Sequence, residues 1–444
     1  MNYTLELGLR GLRRHPRTMA LSILTLALGL AATMTMLSLL AMLSADPLPG
    51  LSQNLYLGWV DSRQASKPGS KPEDDSAAPP SLWKLADVQA MAAAHPQVRQ
   101  AALVSTPLNL SSEDGKRSDS GQGILATGPL PSMFGVPLLH GRYWTAQEER
   151  ARERVIVIDR DISLKLLGTQ NGVGRNVRLG RNLFRVVGIS GRWAPQPRFY
   201  ALGSGSPVWW GGNRGETVFV PAQAAADAGV VPMATQLCDR ELTGGFKFNE
   251  LDIQACRWLQ LWVELHTPQQ VAAFDDALLA YARDRRAAGA FERAPQARLY
   301  SVRQWLAANR VVPDGVRLNL WLALGLLALC MVNVAGLLAA RFLRRSGELG
   351  VRRVLGAPRR AIVLQCLVES GLAGLAGGLL ALPLTLFGLW VVRMQEQDYT
   401  EQAHFSPGLF LALLALAALT GLLVGLLPAW RAARLEPALQ VKSL

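Results

Sequence analysis

The chain has 444 residues and a formal net charge of +13, and half of its residues are hydrophobic. Its mean hydropathy of +0.17 is too apolar for an ordinary soluble protein and too polar for a chain that lies wholly in lipid. The composition therefore predicts long apolar segments beside a sizeable aqueous domain. Much of the positive charge flanks the apolar segments, where it sets membrane topology, so we expect no nucleic-acid partner.

Four apolar runs are each long enough to cross a bilayer, which takes about 20 residues. They predict transmembrane helices over residues 18–45, 316–340, 361–392 and 407–428. The first run is too long for a signal-peptide core, and no A-x-A cleavage site follows it. The predicted fold is an α-helical membrane protein with four transmembrane helices and a large α+β extracytoplasmic domain, residues 46–315, inserted between helices 1 and 2.

Every cluster of basic residues beside these runs falls on one side of the membrane. Arginines precede the first run, more arginines follow the second, and a basic tail follows the fourth. The positive-inside rule therefore predicts a multi-pass protein of the bacterial inner membrane with both termini in the cytoplasm. The remaining segments are a cytoplasmic amphipathic segment (1–17), a cytoplasmic loop (341–360), a short external loop (393–406) and a cytoplasmic tail (429–444).

Glycines within two of the runs indicate where helices meet. Gly374 and Gly378 lie in the third run, and Gly421 and Gly425 lie in the fourth. Small residues let helix backbones approach closely in lipid, so these four are predicted packing positions. The alternative is that glycine is simply commoner in membrane helices than in soluble ones.

Two polar side chains interrupt the runs. We expect Asn333, in the second run, to hydrogen-bond a neighbouring helix rather than to form a transport site. Glu369 lies within about two turns of the cytoplasmic end of the third run. Either snorkelling to the interface or an arginine partner accounts for that glutamate.

The external segment of roughly 270 residues is long enough for a sizeable core and two subdomains. Helical spacing of apolar residues predicts helices over 82–95 and 271–283. Alternating or β-branched runs separated by glycine turns predict strands, which gives a mixed α+β domain. The predicted strands are 155–158, 177–179, 184–189, 218–220 and 259–265.

Three features of this segment have more than one interpretation. The 61–81 insertion is polar and proline-rich, as in a disordered insertion or a loop tip. Trp209 and Trp210 form a partner-binding hot spot, dip into the membrane interface, or are buried under their own glycine-rich loop. Cys238 and Cys256 are a disulfide candidate in an oxidising compartment, and the alternative is two buried thiols.

The stretch after the second run, 344–371, reads RRSGELGVRRVLGAPRRAIVLQCLVESG. It resembles the cytoplasmic loop of MacB/FtsX-type (type VII) ABC transporter permeases: a basic pair, E-[IL]-G-[IV]-R-[RK]-x-[LM]-G-A, a second basic pair and a glutamate at the start of the next span. The ending PAWRAARLEP, 428–437, resembles the family's P-A-x-[RK]-A-[AS]-x-[LI]-x-P. The external segment resembles the family's MacB-like periplasmic core domain, with the G-R turn at 141–142, and is least similar at 61–81 and 190–256.

The resemblance implies that the 341–360 loop contacts an ATPase subunit. Glu348 and Arg352 are also spaced as i, i+4 partners on a short helix, and Gly356 with Pro358 would end that helix. The alternative is a basic loop that only holds the topology. The residues expected to form or shape the ATPase contact are Glu348, Gly350, Arg352, Arg353, Gly356 and Ala357.

The sequence carries no G-x-x-x-x-G-K-[ST] phosphate loop, no nucleophile–base motif and no metal-ligand cluster. We therefore expect a non-catalytic subunit with no cofactor or metal of its own, and with ATP and Mg²⁺ bound by a separate ABC ATPase subunit. One permease domain with four spans implies a dimer with a second copy or a paralogue, surrounded by membrane lipids. Whether a periplasmic adaptor and an outer-membrane channel also bind stays open at this stage.

The family resemblance implies efflux or export of a drug, a peptide or a lipoprotein. ATP hydrolysis in the cytoplasm would be coupled to motion of the external domain. The alternatives are a mechanotransmission subunit of the cell-division type and a membrane-anchored periplasmic sensor or binding protein. A sensor would not require the ordered arrangement of Glu, Gly and Arg in the 341–360 loop.

Overall fold

Two compact units divide the chain. One is Ala45–Val311, and the other joins the residues up to Ser44 to those from Val312 onward. The predicted amphipathic segment before residue 16, most of the 61–81 insertion and the Trp209–Trp210 loop lie outside the described residues. The computed structural model describes residues 16–62, 82–202, 215–232, 237–238, 256–344, 351, 356, 358–394 and 407–434.

The elements follow in chain order. The helices are α1 (Pro16–Leu43), α2 (Leu85–Ala94), α3 (Leu130–Met133), α4 (Ala146–Arg150), α5 (Arg160–Leu167), α6 (Ala222–Asp227), α7 (Pro268–Ala287), α8 (Val302–Ala308), α9 (Asp314–Arg344), α10 (Arg359–Arg393) and α11 (Pro407–Arg434). The strands are β1 (Leu55–Val60), β2 (Arg99–Ser112), β3 (Ser118–Ala126), β4 (Leu138–Gly141), β5 (Val155–Asp159), β6 (Asn176–Leu179), β7 (Asn182–Ser190), β8 (Glu216–Pro221), β9 (Leu237–Cys238), β10 (Cys256–Arg257), β11 (Gln260–Glu264) and β12 (Ala297–Ser301).

The helices α1, α9, α10 and α11 are long and apolar enough to cross a membrane, which confirms the four predicted spans. Proline ends neither of the two transmembrane helices that contain it in their interior. Pro383 lies inside α10, and α11 continues past Pro428, the predicted end of the fourth span, to Arg434. Proline removes one backbone hydrogen bond, and helices in membranes tolerate this where neighbouring groups satisfy the freed carbonyl.

Large apolar side chains cover the outward surfaces of these helices. Trp321 is 73% exposed, Val332 69% and Leu411 66%. Water would not tolerate a continuous apolar surface of this kind, whereas the hydrocarbon core of a bilayer covers it without penalty. The exposed leucines, valines and tryptophans are therefore the surface that lipid contacts.

The external unit is built on one ten-stranded sheet. Nine strands follow one another in the order β12-β1-β11-β2-β3-β8-β5-β7-β4, and β6 pairs with both β2 and β7. The pairs β3–β8 and β5–β7 are parallel, and the other pairs of this sheet are antiparallel. Each predicted strand and both predicted helices coincide with observed elements, which confirms the α+β assignment.

This sheet has an apolar core on each of its faces. Val155 and Val157 of β5 pack in one core, and Ile156 and Ile158 pack in the other. Successive side chains of a strand point to opposite faces, so a strand buried on both sides must be apolar at every position. This explains why the VIVI run does not alternate with polar residues.

One of the two cores contains an aromatic cluster and a buried ion pair. The rings of Phe134, Phe199 and Trp262 contact one another edge-on or tilted, with centroids 5.1–5.8 Å apart. Beside them the Arg198 guanidinium contacts the Glu216 carboxylate, and both side chains are buried. A buried charge must be paired, so this ion pair holds the segment around Arg198 against Glu216, the first residue of β8.

The two-stranded sheet β9–β10 places Cys238 directly opposite Cys256 in an antiparallel register. Cys256 is disulfide-bonded, whereas Cys330 and Cys366 of the spans are buried thiols outside any disulfide. Residues that face each other across an antiparallel pair are close enough for a disulfide. The register therefore supports the predicted pairing of these two cysteines.

We predict that Cys238 and Cys256 form a disulfide in the mature protein. The closed loop would contribute on the order of 3 kcal/mol to the free energy of unfolding in the chain-entropy model. Mass spectrometry of alkylated, unreduced protein should show one cross-linked peptide, with carbamidomethyl groups only on Cys330 and Cys366. Alkylation of both Cys238 and Cys256 without reduction would refute the bond.

Asp159 ends β5 and caps α5, where its carboxylate accepts a hydrogen bond from the backbone N–H of Ile162 at 2.7 Å. The side chain is only 8% exposed. Burial, with smaller contributions from the negative charges of Asp161 and Asp119, raises the pKa of Asp159 to about 6. The folded state therefore binds this proton more tightly than the unfolded state, so stability falls as the pH rises from about 4 to about 6.

We predict that Asp159→Asn stabilises the external domain at neutral pH. The amide oxygen keeps the helix cap, while the buried negative charge is removed. At pH 7.5 the free energy of unfolding should rise by about 1–3 kcal/mol, and at pH 4 it should not change. Thermal unfolding of the full chain in detergent measures this, with exposed Asp276→Asn of α7 as the control. An equal gain at both pH values would contradict the titration of Asp159.

Candidate functional site

Arginines are concentrated at one end of the helix unit. Arg17 lies at the start of α1, Arg341 and Arg344 lie in the last turn of α9, and Arg359 and Arg360 open α10. We call this part the basic end. The segment 345–358, which contains all six predicted ATPase-contact residues, connects α9 to α10 at the basic end.

A buried ion pair joins α9 to α10 at the basic end. The Arg341 guanidinium contacts the Glu369 carboxylate, and the two side chains are only 6% and 4% exposed. A second guanidinium nitrogen of Arg341 lies 3.6 Å from the sulfur of Met19 in α1. Of the two interpretations of Glu369, the arginine partner is therefore confirmed and snorkelling is wrong.

Separating the two ions is unfavourable, because each charge would then be buried without a partner. Removing a charged group from water costs several kcal/mol, and the attraction between the two ions offsets this only while they stay together. The last turns of α9 are therefore fixed to the third turn of α10. In the sequence, Arg341 was interpreted only as one of the basic residues that set membrane topology. Glu369 in the following span was the only indication that an arginine nearby is paired inside the membrane.

Gly356 lies in the connecting segment with a φ of +94°. Side chains other than glycine rarely adopt this conformation, so the residue fits its predicted role in the turn before α10. Pro358 then precedes the first residue of α10 with an extended backbone. The other predicted contact residues lie outside the described residues. They are Glu348, Gly350, Arg352, Arg353 and Ala357.

The four predicted packing glycines all lie between α10 and α11. A Cβ atom added to Gly374 would lie 2.7 Å from the Cα of Gly421, closer than real Cβ atoms approach. A Cβ on Gly425 would overlap the Ser370 side chain, and one on Gly378 would overlap α11. The two helix backbones therefore touch, as small residues permit in lipid.

This glycine contact is continuous with the ion pair, because Ser370 follows Glu369 directly in α10. Ser370 is buried, and a Cβ on Gly421 would lie 2.8 Å from its carbonyl oxygen. One turn of α10 thus contacts α9 through Glu369 and α11 through Ser370. The basic end can move only if these three helices move together or the ion pair separates.

The expectation that Asn333 bonds a neighbouring helix is wrong within the described chain. Its side chain is exposed and makes no hydrogen bond to the described residues. Leu327, Cys330 and Val334 form the side of α9 that is buried, and Gly29 of α1 packs against the first two. Asn333 lies on the other side because it is offset by one residue from that buried stripe.

We predict that Arg341→Met and Glu369→Leu each destabilise the helix unit by about 3–5 kcal/mol, because each leaves one unpaired buried charge. The double variant should recover most of this loss. Heating in detergent followed by size-exclusion chromatography measures the remaining folded protein, with Arg344→Met as the matched control. Single variants as stable as that control would show that the pair contributes nothing.

Comparison with known proteins assigns both units. Residues 19–281 match the MacB-like periplasmic core domain family, and residues 321–437 match the FtsX-like permease C-terminal family. The macrolide export ATP-binding/permease protein MacB of Bordetella avium is 24% identical over 98% of this chain and 59% of its own length. The pyoverdine export ATP-binding/permease protein PvdT of Pseudomonas aeruginosa is 25% identical over 71% of this chain and 41% of its own length.

Among solved structures, the periplasmic region of MacB from Actinobacillus actinomycetemcomitans is 12% identical, with a TM-score of 0.35, over 57% of this chain and 92% of that structure. The present chain thus spans about two fifths to three fifths of the length of the two curated relatives. The family matches cover more than half of its residues and both of its units. The chain belongs to the MacB/FtsX-type family of ABC transporter permeases.

Proposed function

We propose that this chain is a permease subunit that couples ATP hydrolysis by a separate ATPase subunit to movement of the external domain. The observation that carries the proposal is the buried Arg341–Glu369 pair beside the 345–358 connection. A surface loop that only held the topology would need arginines but not a buried ionic tie between the helices on either side of it. Such a tie is suited to transmitting force.

The proposed transmission begins when the ATPase subunit moves the 345–358 segment. Arg341 and Glu369 hold the two flanking helices together, so the segment cannot move one of them alone. Gly374 and Gly421 bring α10 against α11, so displacement of α10 also moves α11. The helices α1 and α9 precede and follow the external domain directly in the chain, and this connectivity would pass the movement outward.

Export is the direction of transport that we propose. The two curated relatives are named for export of a macrolide and of pyoverdine. A small molecule of the macrolide or pyoverdine kind, released on the external side, is therefore the substrate class proposed here. A second copy of the permease would complete the functional unit, because ABC transporters work with paired membrane domains.

The proposal places both termini and the basic end in the cytoplasm, following the positive-inside rule. We predict that alkaline phosphatase fused after residue 120 is active, because it is exported with the external domain. Alkaline phosphatase fused after residue 350 should be inactive. β-Galactosidase, which is active only in the cytoplasm, should be active when fused at the same position. The opposite pattern would reverse the topology and remove the basic end from reach of an ATPase.

We predict that Arg353→Glu and Gly350→Trp each weaken ATPase binding. We propose that Arg353 faces an acidic groove of the ATPase subunit, so the first variant places two negative charges together, at a cost of about 3 kcal/mol, or about a hundredfold in Kd. The second blocks docking by bulk alone. Pull-down of the ATPase subunit measures both variants, and export of a macrolide or a siderophore by cells gives the second readout.

The matched control is Arg317→Glu, which reverses an exposed arginine at the opposite end of α9. It should leave ATPase binding unchanged, because it lies about 36 Å along the helix from Arg341 at about 1.5 Å per residue. Wild-type pull-down with Arg353→Glu and Gly350→Trp would mean that the connection only holds topology. The sensor or binding-protein alternative would then replace coupling.

A further inference from the structure

Two exposed tryptophans mark the membrane boundary that lies away from the basic end. Trp321 of α9 is 73% exposed and Trp390 of α10 is 52% exposed, and tryptophan favours the interface between hydrocarbon and headgroups. Arg341 follows Trp321 by 20 residues, about 30 Å along α9. Glu369 precedes Trp390 by 21 residues, about 32 Å along α10. Because the hydrocarbon core is about 30 Å thick, the Arg341–Glu369 pair lies close to its other boundary.

Contacts within the helix unit bring all four helices to this boundary. Met19 of α1 lies 3.6 Å from the Arg341 guanidinium, through its sulfur atom. A Cβ atom on Gly425 of α11 would overlap the side chain of Ser370, which follows Glu369 in α10. We call the depth shared by Met19, Arg341, Glu369 and Gly425 the boundary level. Residues beyond it, toward the basic end, lie among the headgroups or in water.

Three exposed arginines lie just beyond the boundary level. They are Arg17 of α1, Arg344 of α9 and Arg431 of α11. Counted along their helices from the boundary level, they lie about 3, 5 and 9 Å beyond it. The headgroup region adds about 5–8 Å on each side of the hydrocarbon, and an arginine side chain on its flexible stem can adjust its depth by several ångströms. These three guanidinium groups therefore reach the depth of the headgroup phosphates.

Arg359 and Arg360 of α10 are also exposed, but they lie farther out. They precede Glu369 by ten and nine residues, which is about 15 and 14 Å beyond the boundary level. This distance exceeds the thickness of the headgroup region. The arginines of the basic end thus form two tiers, one at headgroup depth and one in the aqueous phase.

The tier at headgroup depth has no internal counter-charge in the part of the chain that the structure describes. The acidic residues of α1, α9, α10 and α11 are Asp314, at the opposite end of α9, and Glu369, which pairs with Arg341. Trp430, the neighbour of one arginine of this tier, is 49% exposed at the same depth. Tryptophan beside arginine is typical of a helix end within the headgroup region. The positive charge there therefore requires an anion from outside the described chain.

We propose that Arg17, Arg344 and Arg431 bind the headgroup phosphates of anionic phospholipids at the basic end. This goes beyond the proposed function and does not depend on coupling to an ATPase. Guanidinium groups donate charge-assisted hydrogen bonds to phosphate oxygens. A lipid is favoured over a soluble anion because lipid covers the helix surfaces beside these residues. An anionic headgroup is favoured over a zwitterionic one, because the arginines repel the ammonium group of the latter.

Native mass spectrometry of the full chain in detergent tests the lipid preference. Phosphatidylglycerol and phosphatidylcholine are titrated separately, and the affinity for the first bound molecules is measured. Wild type should prefer phosphatidylglycerol by about 10-fold to 100-fold, since each arginine near an anionic headgroup contributes about fivefold. Arg17→Gln, Arg344→Gln and Arg431→Gln should each lower this preference by about fivefold, and the triple variant should lose most of it. Equal affinity of wild type for both lipids would overturn the proposal.

The matched control is the double variant Arg359→Gln and Arg360→Gln. It removes positive charge at the same end of the helix unit, but from the tier beyond the headgroups, so it should keep the preference for phosphatidylglycerol. Arg344→Lys, which retains the charge, should also keep most of it. If the double variant loses as much preference as the triple variant, depth does not select the lipid-binding arginines and the proposal fails.

A soluble competitor separates a lipid site from a general anion site. Glycerol phosphate carries the phosphate group without acyl chains, and at the concentration of the lipid it should leave phosphatidylglycerol binding unchanged. Displacement of the lipid by glycerol phosphate would assign a soluble anion to these arginines and overturn the proposal.

Pull-down of the ATPase subunit separates this proposal from the coupling proposal. The triple variant should retain ATPase binding, because the 345–358 segment is unchanged. A triple variant that binds phosphatidylglycerol as wild type does but loses the ATPase subunit would assign the three arginines to protein docking instead. A wild type that prefers phosphatidylglycerol but binds no ATPase subunit would support the lipid site and end the coupling proposal.

Discussion

A bilayer interior supplies no water and no counter-ion to a charged side chain, and the pairing of Arg341 with Glu369 satisfies this constraint. Each ion makes the other tolerable in a low-dielectric setting, so the two cannot separate without a large loss of free energy. That requirement fixes the end of α9 against α10. Ser370, the next residue, then meets Gly425 and Gly421, which sets the contact of α10 with α11.

The external unit meets the opposite conditions. Water surrounds it, so its stability comes from burying apolar side chains on both faces of one sheet. Within that core, the charged Arg198 guanidinium is paired with the Glu216 carboxylate. Asp159 caps α5, but its carboxylate is buried. At neutral pH the buried negative charge therefore lowers the stability of the domain.

Two polar residues of the transmembrane helices show how the same constraint leads to different outcomes. Glu369 finds its partner inside the subunit and ties two helices together. Asn333 is exposed and makes no hydrogen bond to the described residues. The internal pair joins α9 to α10, so that these two helices move as one body.

The sequence by itself determined the number of spans, the clustering of arginines at the ends of particular spans and the α+β class of the external unit. These depend on composition and on short-range periodicity, which local residues specify fully. The packing role of Gly374 and Gly421 was also readable, because small residues at regular spacing have few other uses in lipid. Only the tertiary structure decided that Arg341 pairs with Glu369 while Asn333 faces outward. Both outcomes depend on which side of each helix meets its neighbours, and that orientation is set by contacts between residues far apart in the chain.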